Sequence, residues 1–115
     1  MVHNMKLNPK PYGMIKSGAK TIELRLYDEK RQSVAIGDEI VFTNLEDEND
    51  KIRTRVLNLH RFSSFEELYD ELPLEKCGYT SENVKNASHE DMEEYYSHDE
   101  QSRYGVVGIE LEVIK

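Results

Sequence analysis

At Gly18 the hydrophobic period of this 115-residue chain changes from that of a helix to that of a strand. Upstream, Pro11 suits the first turn of a helix and Gly18 suits the position just past its end, which predicts a helix over about residues 10–17. Downstream, polar and apolar side chains alternate over residues 21–26, as in a strand with one buried face. A short helix that leads directly into an amphipathic strand therefore begins the fold.

Three later segments have the pattern of strands. A turn at Gly37 opens a strand over residues 39–43, and an acidic loop over residues 46–50 separates it from a strand over residues 51–61. The last strand, over residues 104–114, alternates apolar with polar or small side chains. Neither side of the 51–61 segment is purely apolar, so we interpret it as a strand that crosses from an exposed edge into the body of a barrel.

Two capping signatures predict short helices between these strands. Ser64 begins a capping box whose helix must end before Pro73, and Ser88 begins a second one that opens a helix over residues 91–96. The chain has no internal repeat and no linker composition. We expect a single domain over residues 1–115, an α+β fold built as a small β-barrel with inserted short helices.

Composition indicates a cytoplasmic protein. Cys77 is the only cysteine, so no internal disulfide can form, and the N-terminus lacks the apolar stretch of a signal peptide. No apolar run is long enough to cross a membrane. The four histidines lack metal-site spacing, and we expect neither a metal nor a cofactor. We interpret Cys77 as a small, partly buried side chain rather than a nucleophile.

The charge of the chain is uneven. A net charge of −8 argues against a protein that coats nucleic acid indiscriminately. However, residues 1–35 and residues 51–63 each carry a surplus of four positive charges, while residues 36–50 and 64–102 carry surpluses of six and ten negative charges. The two basic segments either share one face of the protein or decorate solvated strands.

The strand that follows Gly18 places several reactive side chains together. Residues two apart in a strand project to the same side with α-carbons roughly 6.5–7 Å apart, so Thr21, Glu23 and Arg25 form a row. Lys20 precedes this row, and the turn at Gly18 can direct the ammonium group of Lys20 back toward the row. Such a set supplies a carboxylate and two cationic donors suited to a phosphate or an oxyanion. The alternative is an exposed strand with an ordinary salt bridge, worth at most about 1 kcal/mol.

The segment Gly18-x-Lys20-Thr21-x-Glu23-x-Arg25 resembles the G-x-K-x-x-E-x-R signature of the ASCH family, whose domains are PUA-like. Other parts of the chain also resemble that family. They are the helix before the motif, the turn at residues 37–40 that opens the next strand, and residues 104–109 of the terminal strand. The resemblance implies a small PUA-like β-barrel that binds RNA, a nucleotide or a nucleoside in a cleft beside the motif. The ligand-binding candidates are Lys20, Thr21, Glu23 and Arg25, with Tyr104 flanking the cleft.

Two other functions stay open at this point. One bacterial branch of the family consists of amidohydrolases that deacylate acetylated cytidine; Lys20 matches its catalytic lysine, although this chain has Glu23 where that branch carries a threonine. If the chain is such an enzyme, Lys20 and Glu23 are its catalytic candidates. Glu23 beside Lys20 favours a charged lysine, however, and hence binding over base catalysis. The third reading is a non-catalytic, partner-binding regulatory domain that uses an acidic face.

The remaining tyrosines give a weaker signal. We interpret Tyr95 and Tyr96 as core or rim aromatics rather than as platforms on which bases stack.

Overall fold

One five-stranded sheet forms the framework of the fold, and short helices lie in the connections between its strands. The computed structural model describes all 115 residues. In chain order the strands and helices are β1 (Val2–Leu7), α1 (Pro9–Ser17), β2 (Ile22–Leu26), α2 (Glu29–Gln32), β3 (Glu39–Asn44), β4 (Asp47–Phe62), α3 (Phe65–Glu71), α4 (His98–Tyr104) and β5 (Val106–Val113). Three 3-10 turns lie between α3 and α4, at Leu74–Cys77, Val84–Asn86 and His89–Glu94.

The sheet is a curled half-barrel whose two edges face each other. Its strand order is β1-β3-β4-β5-β2, with β1 parallel to β3 and the other pairs antiparallel. Two side chains reach the edge strand β1. From the other edge strand, β2, Arg25 Nη2 donates to the carbonyl oxygen of Lys6 over 3.1 Å; from α2, Lys30 Nζ donates to that of Asn4 over 2.8 Å. The α+β, PUA-like barrel with inserted short helices that the sequence predicted is thus confirmed.

Apolar side chains cover both faces of the sheet. On β5, Val107 and Ile109 belong to a cluster of 12 buried residues inside the half-barrel, which includes Phe42 and Ile15. Val106 belongs to a second cluster on the opposite face, where α3 packs. A strand buried on both faces anchors the sheet between two cores.

A β-bulge in β4 explains why neither side of that strand looked apolar. Val56 is opposite Leu111 and Asn58 is opposite Glu110, so Leu57 is the extra residue. The extra residue reverses the alternation: Val56 faces the core before the bulge and Leu59 packs against the same core after it. Leu57 itself is 42% exposed.

Several predicted boundaries differ from the observed ones. The expected acidic loop over residues 46–50 is mostly strand, because β4 starts at Asp47, directly opposite Asn44. The expected helix over residues 91–96 is a 3-10 turn that begins at His89, next to its cap Ser88. The last strand starts two residues later than expected, because Tyr104 ends α4 and Gly105 forms its cap.

None of the helices is long and apolar enough to cross a membrane.

Two helices and one strand were not predicted at all, namely α2, α4 and β1. Helix α4 has a capping box, in which Ser97 accepts from the backbone N–H of Glu100 and the Glu100 carboxylate accepts from that of Ser97. The same signature that identified the helix at Ser64 was therefore present here.

The close contact of β5 with its surroundings yields a stability prediction. A Cβ on Gly108 would lie 2.7 Å from Cδ1 of Leu72 and 3.1 Å from Cγ2 of Ile22. Gly108→Ala should therefore lower the free energy of unfolding by about 1–3 kcal/mol through overpacking, measured by urea denaturation.

Gly13 provides the matched control. It lies inside α1, and a Cβ there would meet nothing within 4 Å. Gly13→Ala should raise the free energy of unfolding by about 0.5–1 kcal/mol, because alanine is the better helix former. Equal effects of the two alanine substitutions would contradict the packing that the structure gives to β5.

Candidate functional site

A cleft of about 550 Å³ opens where the two edges of the half-barrel approach each other. The end of β1 and the start of α1 form one side, through Lys6, Lys10 and Met14. The motif residues of β2 form the floor, and the 3-10 turns that follow α3 form the opposite wall. A concave space of this size with convergent polar groups is typical of a small-molecule site.

The floor of the cleft is a three-residue ion cluster. Lys20 Nζ lies 2.8 Å from Glu23 Oε1, and Arg25 Nε donates to Glu23 Oε2 over 2.8 Å. The side chains are almost buried, with 10%, 5% and 15% of their surfaces exposed for Lys20, Glu23 and Arg25. Each carboxylate oxygen thus has its own cation, which a buried carboxylate requires.

The ionisation of Glu23 follows from these contacts. Burial by itself raises the pKa of this carboxyl group, but the charges and hydrogen bonds of Lys20 and Arg25 outweigh burial and lower the pKa below its ordinary value. Glu23 is therefore a carboxylate at neutral pH.

The backbone around Lys20 is fixed on both sides. Gly18 ends α1 in the left-handed region with φ of 87°, and the N–H of Lys20 then donates to the carbonyl oxygen of Met14 over 3.0 Å. Gly78, with φ of 113°, lies against the lysine side chain: a Cβ there would be 3.4 Å from Lys20 Cδ. Gly78 was not predicted as part of the site, because nothing local in the sequence indicates this approach.

Tyrosines form the opposite wall. The hydroxyl groups of Tyr69 and Tyr79 are 2.8 Å apart, and Tyr79 donates to Asp91 Oδ2 over 2.6 Å. Burial and the hydrogen bond to Asp91 raise the pKa of Tyr79, so its hydroxyl stays protonated. Tyr96 stacks on Phe65, which is buried, with ring centroids 5.8 Å apart. This hydrogen-bonded chain was not foreseen from the sequence.

Tyr95 is the exposed aromatic of the cleft. It lines the cleft together with Tyr96, yet 61% of its surface is exposed. Both tyrosines were expected to be core or rim aromatics. Tyr95 lies at the rim, and Tyr96 packs against the second apolar cluster. The exposed ring of Tyr95 was not evident from the sequence alone.

The predicted site residues divide into two groups. Lys20, Glu23 and Arg25 converge on the floor of the cleft. Thr21 precedes β2 and is not among the lining residues; its backbone N–H donates to Lys76 and its carbonyl oxygen accepts from Leu111. Tyr104, expected to flank the cleft, instead lines a second depression, because it belongs to the last turn of α4.

The two basic segments do not share one cleft. Lys6 and Lys10 belong to the cleft, whereas Arg61 lines the second depression and Arg53 pairs with Glu39 over 2.6 Å, outside both. Cys77 is 5% exposed, and burial raises the pKa of its thiol to about 11, so it stays protonated. The structure contains no group of three His, Cys, Asp or Glu side chains placed to hold a metal ion.

Comparison with known families agrees with this geometry. The family model described as "ASCH domain" matches residues 5–115. The chain belongs to the ASCH domain family. No curated protein matches this ASCH chain significantly.

Solved structures extend the comparison. A hypothetical protein designated PH0355 is 36% identical, with a TM-score of 0.80 over 99% of this chain and 100% of its own. Protein PF0455 from Pyrococcus furiosus is 31% identical, with a TM-score of 0.77 over 100% of this chain and 99% of its own. ASCH from Zymomonas mobilis, at 14% identity and a TM-score of 0.65 over 99% of this chain and 71% of its own, shares the fold.

The ion cluster predicts a pH-dependent stability. Because the folded-state pKa of Glu23 lies below its ordinary value of 4.5, its stabilisation is complete above that value and is lost as the pH falls through the folded-state pKa. Glu23→Gln should reduce the free energy of unfolding by about 3–5 kcal/mol at pH 7, since it leaves two cations without a counter-charge. The difference from the unsubstituted protein should shrink below pH 4.5 in urea titrations.

Glu39→Gln is the control for an exposed ion pair. Glu39 pairs with Arg53, and its pKa is also lowered, chiefly by the hydrogen bond from that arginine. The loss should be much smaller, because water screens this pair. A loss for Glu23→Gln no larger than for Glu39→Gln would show that the cluster does not stabilise the fold.

Proposed function

We propose that the cleft binds a nucleoside or nucleotide unit, either free or within RNA. The observation that carries this proposal is the buried cluster of Lys20, Glu23 and Arg25 facing a wall of tyrosines across about 550 Å³. Two cations suit a phosphate or a base carbonyl, and aromatic rings suit a base. The convergence of polar groups on one cleft favours this reading over a partner-binding domain that uses an acidic face.

The floor supplies groups that read a polar edge. Arg25 uses Nε for Glu23 and Nη2 for the Lys6 carbonyl, which leaves Nη1 for a ligand. Glu23 accepts one bond at each oxygen and retains lone pairs for a donor such as an exocyclic amino group. Lys20, whose Nζ contacts Glu23 Oε1, acts as an anion anchor in this proposal.

The wall supplies a stacking surface. Tyr95 lies at the rim with its ring exposed, whereas Tyr79 and Asp91 hold each other through a short hydrogen bond. A base that enters the cleft stacks on Tyr95 and presents its polar edge to the floor. Stacking of a base on an aromatic side chain is worth about 1–3 kcal/mol.

Removing the ring should therefore weaken binding. Tyr95→Ala is expected to reduce affinity for ribonucleoside 5′-monophosphates about fivefold or more. Isothermal titration calorimetry with each of the four monophosphates measures this. The control is Leu57→Ala, which removes an exposed apolar side chain at the bulge in β4. Absence of binding by all four monophosphates, or equal losses in the two variants, would overturn the proposal.

Removing the lysine charge tests the floor. Lys20→Met should weaken binding about tenfold, since a hydrogen bond to a charged group contributes about 1.5–3 kcal/mol. Lys16→Met is the matched control, because Lys16 is exposed on α1 and pairs with Asp50 outside the cleft. Circular dichroism should show an unchanged fold, as Glu23 keeps Arg25 as a partner. Equal affinities of the two variants would count against a binding role for Lys20.

The same floor supports a second candidate, hydrolysis of an acylated nucleoside. Lys20 and Glu23 are in direct contact at the bottom of the cleft, so the carboxylate of Glu23 can accept a proton that Lys20 releases. Incubation with acetylcytidine, followed by chromatography, tests this activity. Turnover that disappears in Lys20→Ala would support it; no turnover, or equal turnover in that variant, would exclude it for this substrate.

A further inference from the structure

A second depression lies beside the cleft and has its own charge pattern. Tyr27, Arg61, Arg103 and Tyr104 line it, at the ends of β2, β4 and α4. The chain as a whole carries a net charge of −8, yet two arginines meet here. The carboxylate that lines this depression, Glu67, accepts a hydrogen bond from the hydroxyl group of Ser63 over 3.0 Å.

Both arginines lie over tyrosine rings instead of pairing with acids. The guanidinium carbon of Arg61 is 4.3 Å from the ring centroid of Tyr27, and that of Arg103 is 5.1 Å from the centroid of Tyr104. Neither forms an ion pair, although three other arginines of the chain do, namely Arg25, Arg31 and Arg53. The rings orient the two guanidinium groups and leave their charge unneutralised.

The side of the depression formed by Arg61 lies close to the floor of the cleft. Arg25, at the floor of the cleft, is opposite Val107 of β5, and Arg61 is opposite the same Val107 on its other side. Neighbouring strands are about 4.8 Å apart, so the α-carbons of these two arginines are roughly 10 Å apart in one row. Tyr27, whose ring lies against the guanidinium group of Arg61, is two residues beyond Arg25 along the chain.

We propose that this depression is an RNA-binding subsite, in which Arg61 and Arg103 contact phosphates and present their flat faces to a base. The inference rests on the proposed function of the cleft and extends it: the ligand is a single-stranded RNA that runs from the cleft to this depression. Guanidinium groups bind phosphate in a bidentate manner and also stack on bases. An acidic peptide would use the charge alone and leave the flat faces without a partner.

The test uses the full chain and fluorescein-labelled octamers of adenylate and of cytidylate, with binding followed by fluorescence anisotropy at 50 and 200 mM salt. The double variant Arg61→Gln/Arg103→Gln removes two charges from exposed side chains. Each lost phosphate contact should reduce the slope of log K against log salt by about 0.7, or about 1.4 for two. Across this salt range the unsubstituted protein should then lose about sevenfold more affinity than the variant.

The matched control removes the same charge at positions outside the proposed subsite. Lys51→Gln/Arg55→Gln changes two exposed residues of β4 that lie outside both depressions. The inference predicts an unchanged salt slope in this control, and unchanged affinity of the Arg61→Gln/Arg103→Gln variant for nucleoside monophosphates.

Three outcomes would overturn the inference. Equal salt slopes in the two double variants would show that Arg61 and Arg103 do not contact RNA. The proposal for the cleft would still stand if nucleoside monophosphates bind and Tyr95→Ala lowers their affinity. Failure of both octamers to bind at 50 mM salt would also overturn it. So would displacement of the octamers by an octaglutamate peptide at equal concentration, because charge alone would then account for recognition.

Discussion

The carboxylate of Glu23 is the interaction on which the working part of this protein depends. It is buried at the bottom of the half-barrel, where an isolated negative charge would be costly, and two cations of the same short segment make it stable there. Through Arg25 the same cluster reaches the backbone of β1. One group of charges therefore forms the floor of the cleft and joins the two edges of the sheet.

This arrangement distinguishes the roles of the two faces of β2. Ile22 and Leu24 pack into the core beneath α3, while Glu23 and Arg25 turn toward the cleft. A strand with a polar inner face is usually unfavourable in a barrel of this size, because its charges must find partners. Here Lys20, held between Gly18 and Gly78, supplies the missing charge from outside the strand.

Much of this was predictable from local sequence. The period change at Gly18, the capping serine at Ser64 and the family signature identified the fold and the floor of the cleft, because each depends on residues close in the chain. The wall was not predictable: the capping signature at Ser88 marked the segment of Asp91 and Tyr95, but the position of that segment beside Tyr79 depends on tertiary contacts. The bulge at Leu57 reverses the pattern of β4 and hid which of its sides is buried.

The way in which the barrel closes has a mechanical consequence. Backbone hydrogen bonds join every neighbouring pair of strands except the outermost two, β1 and β2, which the side chain of Arg25 connects. Separating those outer strands breaks one side-chain hydrogen bond, whereas separating any other pair breaks a ladder. The sheet can therefore change its width at the mouth of the cleft without losing backbone hydrogen bonds, and a molecule bound there would act on the shape of the whole sheet.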